Sequence, residues 1–418
     1  MSITVEIITL ISITIICEYN NCFKGGKMKY NFNEKIDRKN NHSAKWSEMK
    51  KNYGSGDLWP MWIADMDIKT APAITDALIK KSKEGIFGYV YRPETYYGSA
   101  VDWCKRRFNW EIKSDELIHT LGVIPALTIA VRLFSEKNDK IMIQTPVYYP
   151  FYNVIKQNDR ELITNPLVKG KDGYYTIDFE DMEKKLSDTK LKIFILCSPH
   201  NPVGRVWKKD ELEKIGELCL KYNVRIYADE IWRDLVYPEY KHIAISSLSK
   251  EIQDITITFF SASKTFNLAG LQASYVHFPR KEEFDKFDYE LGVLDIKRNS
   301  PFNLVAGKVA FEQDEWIDSL MIHLRNNLDY LLDFMAKELP KVKISRPEAT
   351  YLVWMDFSKY NLSKEELSSV MKEKGKIALD HGYWFGVEGE GYERINIACP
   401  KYMLEEGLKR IKKALNHL

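Results

Sequence analysis

Three polar residues stand where apolar runs of the sequence end. Lys264 closes "ITFFSASK", Asp229 closes "VRIYAD", and Asn201 follows "IFILCSPH". A lysine is costly to bury unless something uses it, so its place after an apolar run, between hydroxyls, points to chemistry. Each residue also has an ordinary explanation, because Asn-Pro is a common turn, aspartate often caps a helix and a lone lysine is usually solvated.

The elements around these residues predict how they are positioned. Between about residues 74 and 275, short apolar runs such as "DKIMIQTP", "LKIFILC" and "ITITFFS" alternate with helical periodicity, as in "KKDELEKIGELCLKYN". This alternation predicts βαβ units and a mainly parallel sheet covered by helices on both faces. Ligands bind at the carboxyl ends of such strands, so we expect Lys264, Asp229 and Asn201 to share one rim.

The composition is that of an ordinary globular protein and argues against several functional classes of protein. The 418 residues are 45% hydrophobic and 29% charged, with a formal net charge of +2. This balance, with no long like-charge block, argues against a dedicated nucleic-acid surface. The cysteines are scattered without metal-ligand spacing, which predicts free thiols in a reducing cytoplasm and no metal site.

The first residues form a separate segment. The apolar run "ITVEIITLISITIIC" is shorter than the ~20 residues of a spanning helix, and it lacks the basic start of a signal peptide. We expect residues 1–27 to be an extension outside the fold, with Met28 as a natural beginning, and we expect no membrane partner.

Several spaced motifs together resemble a known family. "QTPVYYPFY", "CSPHNPVGRVW", "SASKTFNLAGLQAS" and "INIACP" are similar to fold-type-I, pyridoxal-5′-phosphate (PLP) enzymes of the aminotransferase class I/II family. With "LWPMWIADMDI" and "IFGYVYRP", they resemble its C–S lyase branch, the MalY/PatB type of cystathionine β-lyase. The expected fold is α/β: a large PLP-binding domain (74–310) and a small, discontinuous α+β domain (28–73 with 311–418). A long helical segment, "NLVAGKVAFEQDEWIDSLMIHLRNNLDYLLDFMAKEL", is expected where the small domain begins.

The resemblance implies roles for the residues at the rim. Lys264 would form a Schiff base with PLP and act as general base on the substrate Cα proton. Asp229 would keep the pyridine nitrogen protonated, and Asn201 would hydrogen-bond the ring 3′-oxygen. The phosphate would be bound by backbone amides at a helix start and by hydroxyls. These would come from Gly122, Val123, Ile124, Ser261 and Ser263.

Aromatic residues have expected roles at the cofactor. Tyr148 would stack on the ring, although a core aromatic is the alternative. Trp232 stands where the family usually has a Tyr or His, and a packing role for it is about as reasonable as a cofactor contact. Tyr89 matches a tyrosine that reaches the neighbouring subunit's cofactor, which implies a homodimer with shared sites.

Two further residues would bind the substrate. Arg394 would hold its α-carboxylate as a bidentate pair, with a surface ion pair as the alternative. Ala64 would approach the same carboxylate through its backbone. Gln272, eight residues after the lysine, replaces an arginine of many aminotransferases, a departure that also occurs in the lyase branch.

The resemblance favours β-elimination of cystathionine or another cysteine S-conjugate to a thiol, pyruvate and ammonia. Transamination uses the same lysine and the same electron sink, so the residues alone do not separate the two reactions. A PLP-dependent aminotransferase is therefore the first alternative, and a non-catalytic regulatory protein on the same scaffold is the second.

Overall fold

The computed structural model describes residues 29–298 and 300–416, and within it the segment Phe32–Leu418 forms one compact unit. The expected extension, residues 1–27, lies outside the described residues, as does Met28. Fifteen α-helices lie in the described part: α1 Ala44–Ser47, α2 Met49–Tyr53, α3 Pro72–Lys83, α4 Glu94–Phe108, α5 Val123–Phe134, α6 Pro150–Lys156, α7 Phe179–Leu186, α8 Lys209–Lys221, α9 Lys250–Asp254, α10 Ala262–Thr265, α11 Lys281–Val293, α12 Pro301–Ala310, α13 Asp314–Glu338, α14 Lys364–Ser369 and α15 Lys401–Leu415.

The strands form one large sheet and several smaller ones. Their bounds are β1 Trp59–Pro60, β2 Leu117–Thr120, β3 Lys140–Ile143, β4 Glu161–Thr164, β5 Val168–Lys169, β6 Tyr175–Thr176, β7 Leu191–Cys197, β8 Arg225–Asp229, β9 Thr256–Ser261, β10 Ser274–His277, β11 Lys343–Ile344, β12 Leu352–Asp356, β13 Ile377–Ala378, β14 Asp380–His381 and β15 Tyr392–Asn396. The central sheet has seven strands in the order β2-β10-β9-β8-β7-β3-β4. β10 is antiparallel to both neighbours, and the remaining pairs are parallel.

Helices cover both faces of this sheet, which explains the continuous apolar strands. Along β7, Ile193 and Ile195 pack with α5, α6 and α11, while Phe194 and Leu196 point to the other face and pack with α7 and α8. Successive strand residues alternate between faces, so an apolar residue at every position means that neither face meets water. The predicted α/β fold with a mainly parallel, helix-covered sheet is confirmed.

The pairing register aligns the carboxyl ends of three neighbouring strands. Cys197 at the end of β7 lies opposite Asp229 at the end of β8, and Asp229 lies opposite Phe259 of β9. The chain leaves β9 at Ser261 and enters the single turn α10, which carries Lys264. The elements that follow these strands therefore start from one edge of the sheet.

A second, antiparallel sheet has the order β11-β12-β15-β14. Arg394 on β15 lies between Trp354 of β12 and Asp380 of β14. The N-terminal β1 pairs with β13, the kind of contact on which the predicted discontinuous small domain depends. The residue boundaries of the two domains stay a prediction.

The long helical segment expected near residue 303 is divided in the structure. α12 ends at Ala310 and α13 begins at Asp314. Between them, the amides of Glu312 and Gln313 donate to carbonyls three residues back, which tightens the turn and ends α12. The continuous helical periodicity concealed this break.

No helix among the described residues is long and apolar enough to cross a membrane. In the same part of the chain, no group of three or more His, Cys, Asp or Glu side chains is arranged to hold a metal ion.

Candidate active site

A cavity of about 200 Å³, partly open to solvent, lies at the carboxyl end of the central sheet. Ten of the residues predicted for the site line it: Ala64, Gly122, Val123, Ile124, Tyr148, Asn201, Asp229, Trp232, Ser263 and Lys264. The structure thus brings together residues that are up to 200 positions apart in sequence.

Lys264 is held in the cavity by a backbone acceptor. Its Nζ donates to the carbonyl oxygen of Ala64 at 2.7 Å, and the indole ring of Trp232 lies with its centroid 6.0 Å away. Burial lowers the pKa of Lys264 from 10.5 to about 8, although the nearby Asp65 and Asp229 carboxylates act in the opposite direction. The neutral amine, which can act as a nucleophile or base, is therefore far more populated near neutral pH than in an ordinary lysine, and it makes up about half of the total at about pH 8.

Asp229 is a buried carboxylate whose negative charge is compensated by few neighbouring groups. Its Oδ1 accepts from the amide of Ile231 at 3.0 Å, the one hydrogen bond that its side chain makes within the described residues. Burial raises the pKa of Asp229 from 3.8 to about 7. A cationic ring nitrogen bound beside this carboxylate would remove the cost of burying its charge.

The start of α5 provides an anion site at another wall of the cavity. Gly122 precedes the helix without a side-chain cap, and Pro125 has no amide hydrogen. The amides of Val123 and Ile124 are in the first turn, where a helix offers no backbone acceptor. Twelve residues of aligned peptide dipoles add positive potential there, so the helix start favours a phosphate or another anion.

Ser263 adds a hydroxyl-bearing residue to the cavity wall, whereas Ser261 does not line the cavity. The Ser261 hydroxyl donates to the carbonyl oxygen of Ala273 at 2.8 Å and accepts from the amide of Ser263 at 3.0 Å. It therefore caps α10 and ties β9 to the loop before β10. In this conformation its proton is not available to a ligand.

Tyr148 and Trp232 are aromatic walls of the cavity. Tyr148 packs against Tyr149, with ring centroids 5.4 Å apart, and burial raises the pKa of its hydroxyl. Trp232 is buried with its ring edge-on to Tyr351 at 4.8 Å. This packing suits the structural role that the sequence left open for Trp232, and its position in the cavity wall suits a ligand contact as well.

Arg394 lies behind the cavity wall. Its Nη1 donates to Oδ1 of Asn201 at 2.8 Å, and its Nη2 contacts Asp380. Both Arg394 and Asp380 are buried, so Arg394 is not part of a surface ion pair. Because Asn201 uses its oxygen for Arg394, its amide nitrogen is the group left for a ligand in the cavity.

Tyr89 lies away from the cavity and is 86% exposed to solvent. The guanidinium of Arg298 lies 4.5 Å from the centroid of its ring. Tyr89 is not among the described residues that line the cavity, so its expected role at a neighbouring subunit's cofactor stays a prediction.

The sequence reasoning missed the groups that fix the Ala64 loop. Tyr351 donates its hydroxyl to the Ala64 carbonyl at 3.1 Å, beside the bond from Lys264. Arg38 donates to both oxygens of Asp65 at 3.1 and 2.9 Å. Arg38 and Lys45 together clamp Asp67, at 2.8 and 2.5 Å. The charged residues in "DR…K…DMD" were a signal in the sequence for ion pairs at this loop. Which acidic residue pairs with which basic residue depends on how the loop folds back.

Other cavity residues carried weaker sequence signals. Gln272 and Ser274 line the wall near the start of β10. Gln272 has a φ of 53°, a left-handed conformation that is uncommon for residues other than glycine. Its place at this bend lets the chain turn from α10 into the antiparallel strand β10.

Comparison with known proteins identifies the family. The family model "Aminotransferase class I and II" matches residues 64–411. Cystathionine beta-lyase PatB of Bacillus subtilis is 41% identical over 92% of this chain and 100% of its own length.

Two solved structures share the fold over almost the whole chain. A PLP-bound protein of Clostridium difficile 630 is 51% identical, with a TM-score of 0.91 over 92% of this chain and 100% of its own. Cystalysin from Treponema denticola, which contains a pyridoxal 5′-phosphate cofactor, is 38% identical, with a TM-score of 0.90 over 93% of this chain and 100% of its own. The chain belongs to the aminotransferase class I and II family.

Proposed function

We propose that this chain is a PLP-dependent C–S lyase. It converts cystathionine or a related cysteine S-conjugate, with one water, into a thiol, pyruvate and ammonia. Its similarity to a cystathionine beta-lyase and to cystalysin supports this reaction class. The observation that carries the proposal is one cavity lined by a lysine with a lowered pKa and an aspartate with a raised one.

The residues of the cavity fit PLP in charge and hydrogen bonding. Lys264 has the partly neutral amine that an aldehyde requires, and Asp229 needs the cation that a protonated pyridine nitrogen supplies. The amides at the start of α5 suit a phosphate, and Asn201 has an amide N–H for the ring oxygen. Tyr148 supplies an aromatic face for the ring.

Three residues of the chain have separate roles in the elimination. When bound, PLP withdraws electrons and makes the substrate Cα–H bond acidic. Lys264 Nζ takes that proton, and a pKa of about 8 is well placed for a base near neutral pH. Asp229 would stabilise a positive ring nitrogen, and Arg394 would hold and orient the substrate through its α-carboxylate.

One assay distinguishes this reaction from its rivals. Purified protein loaded with PLP is incubated with cystathionine, and thiol and pyruvate are measured together. Release of both in equal amounts is the expected result. If instead an added keto acid is aminated while no thiol appears, the protein is an aminotransferase. If PLP does not bind at all, the regulatory alternative replaces the enzyme.

We further propose that the protein acts as a homodimer in which Tyr89 reaches the partner's cavity. Apolar side chains around Tyr89 support this, because Ile86, Phe87 and Tyr91 are also exposed in the same short segment. A contiguous exposed apolar patch of this kind is typical of a protein–protein interface. Light scattering should give twice the chain mass, and Tyr89→Ala should weaken PLP binding; a monomer with full activity would rule the dimer out.

A cytoplasmic location is also proposed. The four cysteines in the described part of the chain, Cys104, Cys197, Cys219 and Cys399, are free and buried, as expected in a reducing compartment. Cell fractionation with an antibody to the protein tests this, and recovery with membranes or in the medium would contradict it.

A further inference from the structure

Arg394 is paired with a carboxylate of its own chain. Asp380 on β14 lies directly opposite Arg394 on β15, so both side chains project to the same face of the sheet. Nη2 of Arg394 donates to Oδ2 of Asp380, and both side chains are almost completely buried. No other acidic group contacts the Arg394 guanidinium within the described residues.

Two of the five N–H groups of Arg394 make hydrogen bonds within the described residues. Nη1 is used by Asn201 at 2.8 Å and Nη2 by Asp380. Nε is buried and has no hydrogen-bond partner among the described residues. A guanidinium has five N–H groups, so Nε–H and one N–H on each Nη remain for a substrate carboxylate, which would share the guanidinium with Asp380.

The two acceptors, Asn201 and Asp380, differ in charge. Asn201 is neutral, whereas Asp380 carries the charge that balances a guanidinium removed from water. A second carboxylate brought to the same guanidinium meets a positive charge that Asp380 already balances, and it is also repelled by Asp380. Asp380 is thus placed to oppose the same binding event that Arg394 favours.

We propose that Asp380 competes with the substrate α-carboxylate for the guanidinium of Arg394. Asp380 thereby sets how tightly the site binds amino acids. This inference rests on the proposed function, because it takes Arg394 as the carboxylate-binding residue. Asp380 stabilises the buried arginine when no substrate carboxylate is present, and it weakens substrate binding in return. It is a specificity-determining residue rather than a catalytic one.

The test is Asp380→Asn in the PLP-loaded enzyme. Asparagine keeps the shape and an acceptor oxygen but removes the charge. KM for cystathionine should fall by about tenfold, while kcat changes by less than about twofold, because only ground-state carboxylate binding is altered. Asp380→Glu keeps the competing charge and should leave KM at or above the wild-type value. Asp356→Asn is the matched control, since Asp356 is a mostly buried carboxylate of the same sheet paired with Lys169 instead.

A second measurement needs no variant and separates the possible failures. L-alanine and L-alaninamide are compared as competitive inhibitors of the wild-type enzyme. Competition by Asp380 predicts that the carboxylate is preferred by less than about tenfold, and that Asp380→Asn widens this preference. A KM that rises in Asp380→Asn, or a wild-type preference above about a hundredfold, overturns the proposal. Absence of any lyase activity in the wild type would instead refute the proposed function.

Discussion

Replacing Asp229 with asparagine should make the cofactor-free protein more stable while it damages the site. In the folded chain, burial raises the pKa of Asp229 from 3.8 to about 7. Each pKa unit corresponds to ~1.36 kcal/mol. A difference of about 3 units therefore means that burying the charged carboxylate lowers the free energy of unfolding by ~4 kcal/mol at about pH 8. The asparagine side chain keeps an oxygen for the Ile231 amide and carries no charge, so this cost disappears.

The sign of the pH dependence follows from the same raised pKa. Between pH 3.8 and about 7 the folded protein holds a proton at Asp229 that the unfolded chain has lost. This group therefore makes the wild type less stable as the pH rises through that window, and its effect is constant above it. The advantage of Asp229→Asn should be full at about pH 8 and absent below about pH 4.

The assay is thermal unfolding of both proteins after PLP removal, at several pH values. Asp234→Asn is the matched control, because Asp234 is a buried carboxylate with two donors, Trp103 Nε1 at 2.7 Å and Thr265 Oγ1 at 2.8 Å. We expect that control to lose stability at about pH 8, since it loses charge-assisted hydrogen bonds. An Asp229→Asn protein that melts at or below the wild-type temperature at about pH 8 would refute the reasoning.

Three further substitutions test the supporting structure. Lys45→Met removes a buried ammonium from Asp67 and should lower the free energy of unfolding by ~3 kcal/mol, measured in urea; an unchanged midpoint would show that this pair adds nothing. Gly382→Ala places a Cβ 2.1 Å from the Gly389 carbonyl oxygen and should cost ~2 kcal/mol or more, and a wild-type melting temperature would contradict the close backbone packing. Tyr351→Phe removes one of two hydrogen bonds at the Ala64 carbonyl and should cost ~1 kcal/mol with the fold retained, an effect that calorimetry resolves.

The parts of the fold that the sequence predicts are those with local signals. β7, β8 and β9 are continuous apolar runs that end at polar or turn residues, and their parallel order follows from the intervening helical periodicity. Their ends delivered Asn201, Asp229 and Lys264 to one cavity. The break between α12 and α13 had no such signal, because apolar periodicity continues across it.

The details that sequence reasoning missed depend on pairing between distant segments. The hydroxyl of Ser261 is used by Ala273 because β9 and β10 run antiparallel at that point. Asp380 faces Arg394 because the antiparallel pairing of β14 with β15 places the two residues opposite each other. A motif names the residue that has a role, but only the folded register shows which partners that residue already has.

The central claim is that Lys264 is the amine that carries PLP. The direct measurement is borohydride reduction of the PLP-loaded protein, which fixes the cofactor to its lysine, followed by mass spectrometry of the peptides. We expect the label on Lys264 alone, with none in a Lys264→Ala protein. A label on another lysine, or no label in the wild type, would contradict it.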